Sequence, residues 1–211
     1  METTLGIGMG AEKSITGFPE FIARAESHPP EGMVLQEFAG YCLWPSNRFG
    51  KWLALSGAPM ESATYLRIVK TLVGADSAIE LRAGALDNPY YRGLLRNMAV
   101  AYAVDHIEEH LKAAYFRELV DGDPVPARRE NGGVFTFIPT CKLILVSEKP
   151  DVFHRPMLKE IRRRMLHVGM DRLLESPAPE EPPLARDKEA LWRRAEAGYV
   201  RLNRNKHFSN P

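Results

Sequence analysis

Two histidines and a glutamate at helical spacing are the residues of this chain that could support metal chemistry. His106 and His110 are four positions apart, with Glu109 between them. In a helix this spacing places both imidazoles on one face, where they could bind zinc while Glu109 acts as the base of a hydrolase. The flanking residues are strongly polar, and the third ligand is not assigned, with Glu118, Asp121 and His154 as the candidates. A solvated helix face is the alternative, so we expect no cofactor, with zinc at His106, Glu109 and His110 as the competing hypothesis.

Basic residues are concentrated in the last part of the chain. The whole sequence of 211 residues has 28 Lys and Arg against 27 Asp and Glu, but residues 155–211 contain 13 basic and 8 acidic residues. Basic helices of this kind can neutralise phosphates, and they can equally be solvated or paired with acidic groups of the same protein. The arginines that we predict to contact nucleic-acid phosphates are Arg162, Arg163, Arg164, Arg193, Arg194 and Arg201.

A second candidate for nucleic-acid recognition lies near the middle of the chain. Residues 48–73 can be interpreted as a helix-turn-helix, with a glycine-containing turn at residues 56–59. The second helix would then present Arg67 and Lys70 to base edges or phosphates. Ordinary core helices are the alternative interpretation. A glycine-rich stretch at residues 6–14 does not match a phosphate-binding loop, because Glu12 stands where that motif has glycine before lysine.

Helical periodicity dominates the elements that would position these groups. Apolar residues recur at helical spacing over residues 33–43, 60–73 and 155–175, and residues 89–120 read as the longest helix. Runs rich in Val, Ile and Phe at 134–138 and 142–147 indicate a hairpin, which a strand at 125–129 could extend to three strands. We therefore expect a mainly α fold of the α+β class, with five to six helices, one small antiparallel hairpin or three-stranded sheet, and a tethered C-terminal helix.

Four parts follow along the chain from this interpretation. Residues 1–17 form a flexible, glycine-rich arm, and residues 18–176 form a helical domain with the hairpin inserted at about 125–147. A linker rich in Pro and Glu covers residues 177–186, and a basic helix and tail cover residues 187–211.

Composition excludes several classes of protein. The two cysteines are too few for a disulfide framework, and neither a secretory signal nor an apolar run of transmembrane length is present. We expect a cytoplasmic protein without membrane association. The favoured function is nucleic-acid association, as a small regulator or a subunit of a nucleoprotein assembly. The alternative is a non-catalytic adaptor that binds a protein partner or a second copy through the C-terminal helix, and a zinc-dependent hydrolase is the third hypothesis.

Overall fold

The computed structural model describes residues 18–104, 106–154, 159–175 and 188–209. The predicted N-terminal arm (residues 1–17) and the predicted linker (residues 177–186) lie outside these ranges. The α-helices are α1 (Phe18–Ser27), α2 (Pro29–Cys42), α3 (Pro59–Val73), α4 (Pro89–Leu94), α5 (Ile107–Lys112), α6 (Phe116–Asp121), α7 (Lys159–Arg162), α8 (Arg172–Glu175) and α9 (Lys188–Asn205). The strands are β1 (Trp52–Ser56), β2 (Ala78–Glu80), β3 (Val100–Ala103), β4 (Val125–Arg128), β5 (Val134–Phe137), β6 (Lys142–Ser147) and β7 (Met165–Gly169).

A five-stranded parallel sheet is the centre of the fold. Its strand order is β2-β3-β6-β1-β7, and each neighbouring pair runs parallel. The predicted mainly α architecture with one small hairpin is therefore wrong, and the fold is of the α/β type. The antiparallel pair β4-β5 is separate from the main sheet. Strand β6, which we assigned to the hairpin, instead lies in the middle of the parallel sheet.

Two of the missed strands, β1 and β3, are buried on both faces of the sheet. All five residues of β1 and all four of β3 are buried, so neither strand shows the alternation of polar and apolar residues that reveals a half-exposed strand. Strand β1 replaces the first helix of the predicted helix-turn-helix, and β3 interrupts the predicted long helix at 89–120. Strand β7 likewise interrupts the helix predicted over residues 155–175. Short apolar runs do not distinguish a buried strand from a buried helix.

Helices cover the two faces of the sheet with separate apolar clusters. On one face, α1, α2, α3 and α9 pack against Leu53, Leu55 and Ile144 of the central strands. On the other face, α5, α6 and β4 pack against Trp52 and Ala54. The fold therefore has three layers, with the sheet between two apolar cores.

The C-terminal helix packs along α2 rather than standing apart from the body. Two glycines allow the close approach, because a Cβ atom at Gly198 would lie 2.5 Å from the carbonyl oxygen of Gln36, and one at Gly40 would lie 2.1 Å from that of Ala195. The apolar residues Leu191 and Leu202 of α9 are both buried in the core of the protein. The expectation of a tethered helix is thus corrected.

Candidate nucleic-acid interface

The loop between β1 and α3 lies where a parallel α/β fold commonly binds ligands. The chain leaves the adjacent strands β1 and β6 toward opposite edges of the sheet, through α3 on one face and through residues 150–154 and α7 on the other. Crevices outside the carboxyl ends of such strands are the usual ligand sites. The loop begins with Gly57, which has a φ of +71° and donates its N–H to the Ser147 carbonyl oxygen at 3.1 Å.

A carboxylate of the protein itself occupies the anion position of this loop. Asp171 Oδ1 accepts a hydrogen bond from the Ala58 N–H at 2.9 Å, and a Cβ atom at Gly57 would lie 1.8 Å from Asp171 Oδ2. The start of α3 is the positive end of the helix dipole, and the Asp171 carboxylate of the same protein already compensates it. The loop continues through Pro59, which has no N–H, and Glu61 is buried in the first turn. A phosphate-binding loop uses a lysine where this loop has none.

A serine and a histidine meet beside this loop. Ser56 Oγ lies 2.8 Å from His167 Nε2, and the His154 ring packs edge-on against the His167 ring at 5.1 Å between centroids. Burial lowers the pKa of His167, and the neighbouring His154 and Arg172 lower it further. His167 therefore remains neutral at physiological pH and serves as a hydrogen-bond partner for the buried Ser56.

The predicted phosphate-binding arginines of the C-terminal helix are paired with acidic residues. Arg193 donates to Glu189 at 2.5 Å, Arg194 pairs with Glu26 of α1, and Arg201 donates to the fully buried Glu37 of α2 at 2.7 Å. The latter two pairs join α9 to the body of the protein. Because Glu26 and Glu37 already compensate their charge, Arg194 and Arg201 hold α9 in place in the free protein.

The three consecutive arginines before β7 divide into two kinds. Arg164 forms a bidentate pair with Asp121, at 2.5 Å and 2.6 Å, and this hydrogen bond raises its pKa. Arg162 is exposed and contacts His154 Nδ1 at 3.1 Å. Arg163 is exposed and has no ion pair with any residue that the structure describes. Arg162 and Arg163 are therefore available to an external anion.

Lys51 adds a further positive charge beside these arginines. Its ammonium group donates to the Arg163 carbonyl oxygen at 2.7 Å. Partial burial lowers the pKa of Lys51, and the positive charge of Arg164 lowers it further. Lys51 therefore places a positive charge next to the backbone of Arg163 at the start of β7.

An additional cluster of exposed arginines surrounds the β4-β5 pair, and we did not identify it from the sequence. The guanidinium carbons of Arg96 and Arg129 lie 5.8 Å and 5.4 Å from the centroid of the Phe135 ring, and Arg128, which precedes Arg129 in the chain, is also exposed. None of these three arginines forms an ion pair within the described part of the chain. We call Arg96, Arg128 and Arg129 the hairpin arginine cluster. The sequence signal is the pair Arg128-Arg129, which Glu130 separates from the Asn131-Gly132 turn.

A buried arginine fixes the hairpin to the body. Arg92 of α4 donates to the Pro126 carbonyl oxygen at 3.1 Å, and to those of Leu86 and Asp87 at 2.9 Å and 2.7 Å. Its guanidinium carbon also lies 4.3 Å from the centroid of the Tyr115 ring. The hairpin arginine cluster therefore stands on a rigid support, which reduces the entropy lost when a ligand is bound.

Arg67 and Lys70, the residues predicted to recognise nucleic acid from the helix-turn-helix, lie in different environments on α3. Arg67 is exposed on α3 and donates to Thr64 at 3.2 Å, whereas Lys70 is half-buried and donates to the Tyr102 hydroxyl at 3.2 Å. Because α3 follows a strand rather than a helix, it does not belong to a helix-turn-helix. Lys70 and Tyr102 form a chain of hydrogen bonds with Glu80, whose carboxylate accepts from Tyr102 at 3.3 Å.

The predicted metal ligands do not share one helix face. His106 precedes α5 with a left-handed φ of 55°, and its exposed ring lies 3.7 Å from Glu109. His110 is only 1% exposed, and burial lowers its pKa. Among the described residues, no group of three His, Cys, Asp or Glu side chains could hold a metal ion. Zinc at this position stays an untested hypothesis.

The fold and the loop together define a class of protein. It is a parallel three-layer α/β domain in which the Asp171 carboxylate occupies the loop between β1 and α3. Among solved structures, the chain is similar to the apo C-terminal region of NrS-1 in its A form, with a TM-score of 0.55 and 14% identity over 90% of this chain and 46% of that chain. A second NrS-1 structure, residues 305–718, gives a TM-score of 0.54 at 14% identity and covers 90% of this chain and 47% of that one. This chain thus spans less than half of those NrS-1 chains. At this identity, the likeness shows the fold alone.

Other comparisons add no assignment. A JCV helicase with a bound substituted acetamide gives a TM-score of 0.42 at 14% identity and covers 93% of this chain and 63% of that chain, and this score is too low to support an argument. No family model and no curated protein matches the sequence. Within the described ranges, no helix has both the length and the apolar character needed to cross a membrane.

Proposed function

We propose that the protein is a nucleic-acid-associated subunit that binds phosphates through exposed, uncompensated arginines. The observation that carries this proposal is the hairpin arginine cluster, in which Arg96 and Arg129 lie against the same Phe135 ring, Arg128 is exposed next to Arg129 in the chain, and none of the three forms an ion pair within the described residues. Arginines placed together in this way repel one another, and a polyanion removes the repulsion while releasing its own counterions. Arg162 and Arg163 provide a second contact on the same reasoning.

The arginines of α9 are weaker candidates for phosphate contacts than the sequence indicated. Binding a phosphate at Arg194 or Arg201 would require breaking an ion pair that holds α9 against α1 or α2. Arg193 is exposed and its pair with Glu189 is weak, because a solvated ion pair contributes little free energy. It could therefore exchange Glu189 for a phosphate.

We propose further that the β1-α3 loop does not hydrolyse nucleotides. Asp171 already accepts the Ala58 N–H, and a phosphate there would lie against this carboxylate. Without a lysine in the loop, nothing compensates that repulsion. Adding Mg²⁺ and ATP should leave the melting temperature unchanged, since a ligand that binds only the folded state would raise it. A clear rise would overturn this part of the proposal.

The experiment that tests binding is a salt titration with a labelled DNA duplex and a single strand of the same sequence. We expect affinity to fall steeply as salt rises, and the log–log slope to decrease by about 0.9 for each duplex phosphate contact removed. Replacing Arg96, Arg128 and Arg129 together by glutamine should therefore reduce the slope by roughly 2 to 3. The matched control replaces an exposed arginine that pairs with Glu118, Arg117→Gln, and should leave the slope unchanged.

Two results would contradict the proposal. Failure of the wild-type protein to bind either nucleic acid at low salt would remove nucleic-acid association and favour the adaptor hypothesis. An unchanged slope in the triple hairpin variant would show that the cluster does not contact phosphates. In that case the double variant of Arg162→Gln and Arg163→Gln tests the second contact.

A further inference from the structure

An exposed pair of stacked aromatic rings lies at the junction of α2 and α9. The rings of Trp44 and Tyr199 are nearly parallel, with an interplanar angle of 15° and 4.8 Å between their centroids. Trp44 is nevertheless 45% exposed, whereas Trp52 in the sheet is 1% exposed. Tyr199 therefore covers one face of the indole, while nearly half of the Trp44 surface remains accessible to solvent.

The backbone holds this aromatic pair in a fixed position. The Trp44 carbonyl oxygen accepts a hydrogen bond from the buried Lys142 ammonium at 2.9 Å, and its N–H donates to the Tyr41 carbonyl oxygen at 3.3 Å. Tyr199 lies where α9 approaches Gly40, since a Cβ atom at that glycine would be 2.8 Å from the Tyr199 nitrogen. Because both rings rest on tightly packed helices, a ligand that stacks here finds a preorganised surface.

An exposed cation lies beside the rings. The guanidinium carbon of Arg48 is 5.8 Å from the centroid of the Tyr199 ring and 4.7 Å from that of Phe49. Arg48 forms no ion pair with any described residue. An aromatic face and a free guanidinium at this separation match the two parts of a nucleotide, a flat base and a phosphate. A purely apolar partner would instead cover Arg48 without compensating its charge.

We propose that Trp44, Tyr199 and Arg48 form a stacking platform for one base of a single-stranded nucleic acid. This inference rests on the proposed function and adds the class of substrate. In a duplex both faces of an internal base are covered by its neighbours, so only an unpaired base can stack on the indole. Trp44 supplies the ring face, Tyr199 supports it from behind, and Arg48 contacts the adjacent phosphate.

Tryptophan fluorescence tests the platform directly. In a Trp192→Phe background, the remaining indoles are the exposed Trp44 and the buried Trp52. We expect single-stranded oligothymidine to quench the emission, because a stacked base quenches an indole, and we expect a duplex to quench it much less. Adding Trp44→Phe to this background should abolish the quenching. Quenching that survives this second change would overturn the assignment.

Affinity measurements separate stacking from charge. Trp44→Ala should weaken single-strand binding by about tenfold or more while leaving duplex binding unchanged, and Trp44→Phe should retain most of the affinity because a ring remains. Trp192→Ala is the matched control, since this indole is 40% exposed on α9 and has no ring partner among the described residues. It should leave both affinities within about twofold.

The outcomes also distinguish the platform from the proposed function. If Trp44→Ala binds the single strand as tightly as the wild type while the hairpin variant loses affinity, the platform is wrong and nucleic-acid association stands. If the wild-type protein binds neither nucleic acid, both fail together. Single-strand binding that Trp44→Ala weakens and Trp44→Phe restores supports the platform.

Discussion

The Asp171 carboxylate accepts a hydrogen bond from the Ala58 N–H at 2.9 Å, although the two residues are 113 positions apart in the chain. The contact joins the end of β7 to the start of α3 across the carboxyl edge of the sheet. Ala58 has no side chain that could cap α3, and its φ of +22° is unusual for a residue other than glycine. Asp171 therefore satisfies the N–H of the residue at the N-cap position of α3, as a glutamate of the first turn does in a capping box.

Removing this cap should destabilise the fold. We expect Asp171→Ala to lower the free energy of unfolding by about 1 kcal/mol, the usual cost of losing a helix N-cap. Urea denaturation followed by circular dichroism measures the change. Asp151→Ala, which removes an exposed aspartate elsewhere, is the control and should change stability by less than about 0.5 kcal/mol. Equal stability of the Asp171 variant and the wild type would show that water caps α3 equally well.

Long-range contacts of this kind explain which parts of the structure the sequence predicts. Helix α3 was expected at residues 60–73 and is present at Pro59–Val73, because its periodicity and its proline at the first turn are local signals. Strand β1 was missed because its five residues are all buried, which removes the alternation that identifies a strand. The acidic partners of Arg164, Arg194 and Arg201 could not be predicted from the sequence either. Like Asp171, they are distant in the chain from the group that they contact, and no local spacing encodes the pairing.

Stability should depend on pH through a buried lysine. Lys142 is 1% exposed, and its ammonium group donates to the carbonyl oxygens of Trp44 and Thr140 at 2.9 Å and 2.5 Å. Burial lowers its pKa from 10.5 to about 8. Between these values the unfolded chain binds more protons than the folded one, so Lys142 makes the free energy of unfolding rise with pH.

Two buried thiols act in the opposite direction at higher pH. Burial raises the pKa of both Cys42 and Cys141 from 9.0 to about 12, so the unfolded chain loses these protons first. Comparison with Lys142→Met isolates the lysine, because both proteins retain the thiols. We expect the stability of the wild type relative to this variant to increase by about 3 kcal/mol from pH 8 to pH 10.5, measured by urea denaturation. A constant difference across this range would contradict a lowered pKa.

The ion pair between α9 and α2 should contribute strongly to stability. Glu37 is fully buried, and its carboxylate accepts hydrogen bonds from Arg201 at 2.7 Å and from the Ser209 N–H and hydroxyl at 2.8 Å. Arg201→Met would leave this charge without its cation, so we expect a loss of about 3 kcal/mol in the free energy of unfolding.

The exposed pair on the same helix provides the control for that variant. Arg193→Met breaks only the solvated contact with Glu189 and should change stability by less than about 0.5 kcal/mol. Equal effects of the two variants would show that burial does not distinguish the pairs. Because Arg201 is compensated, its variant should also bind nucleic acid with an unchanged salt slope in conditions where it is folded.

Close packing at Gly198 should decide whether α9 remains on the body. Alanine favours a helix over glycine by about 1 kcal/mol, so Gly198→Ala would stabilise α9 if the position were open. Here a Cβ atom would lie 2.5 Å from the Gln36 carbonyl oxygen and 2.9 Å from the Glu37 nitrogen, both in the backbone of α2. The helices must separate to relieve this overlap, and we therefore expect a net loss of stability. In hydrogen exchange, the amides of α9 should lose protection before those of the sheet, whereas Ala197→Gly, on the exposed side of α9, should cost only the intrinsic helix propensity. Increased protection of α9 in Gly198→Ala would show that the two helices tolerate a wider spacing.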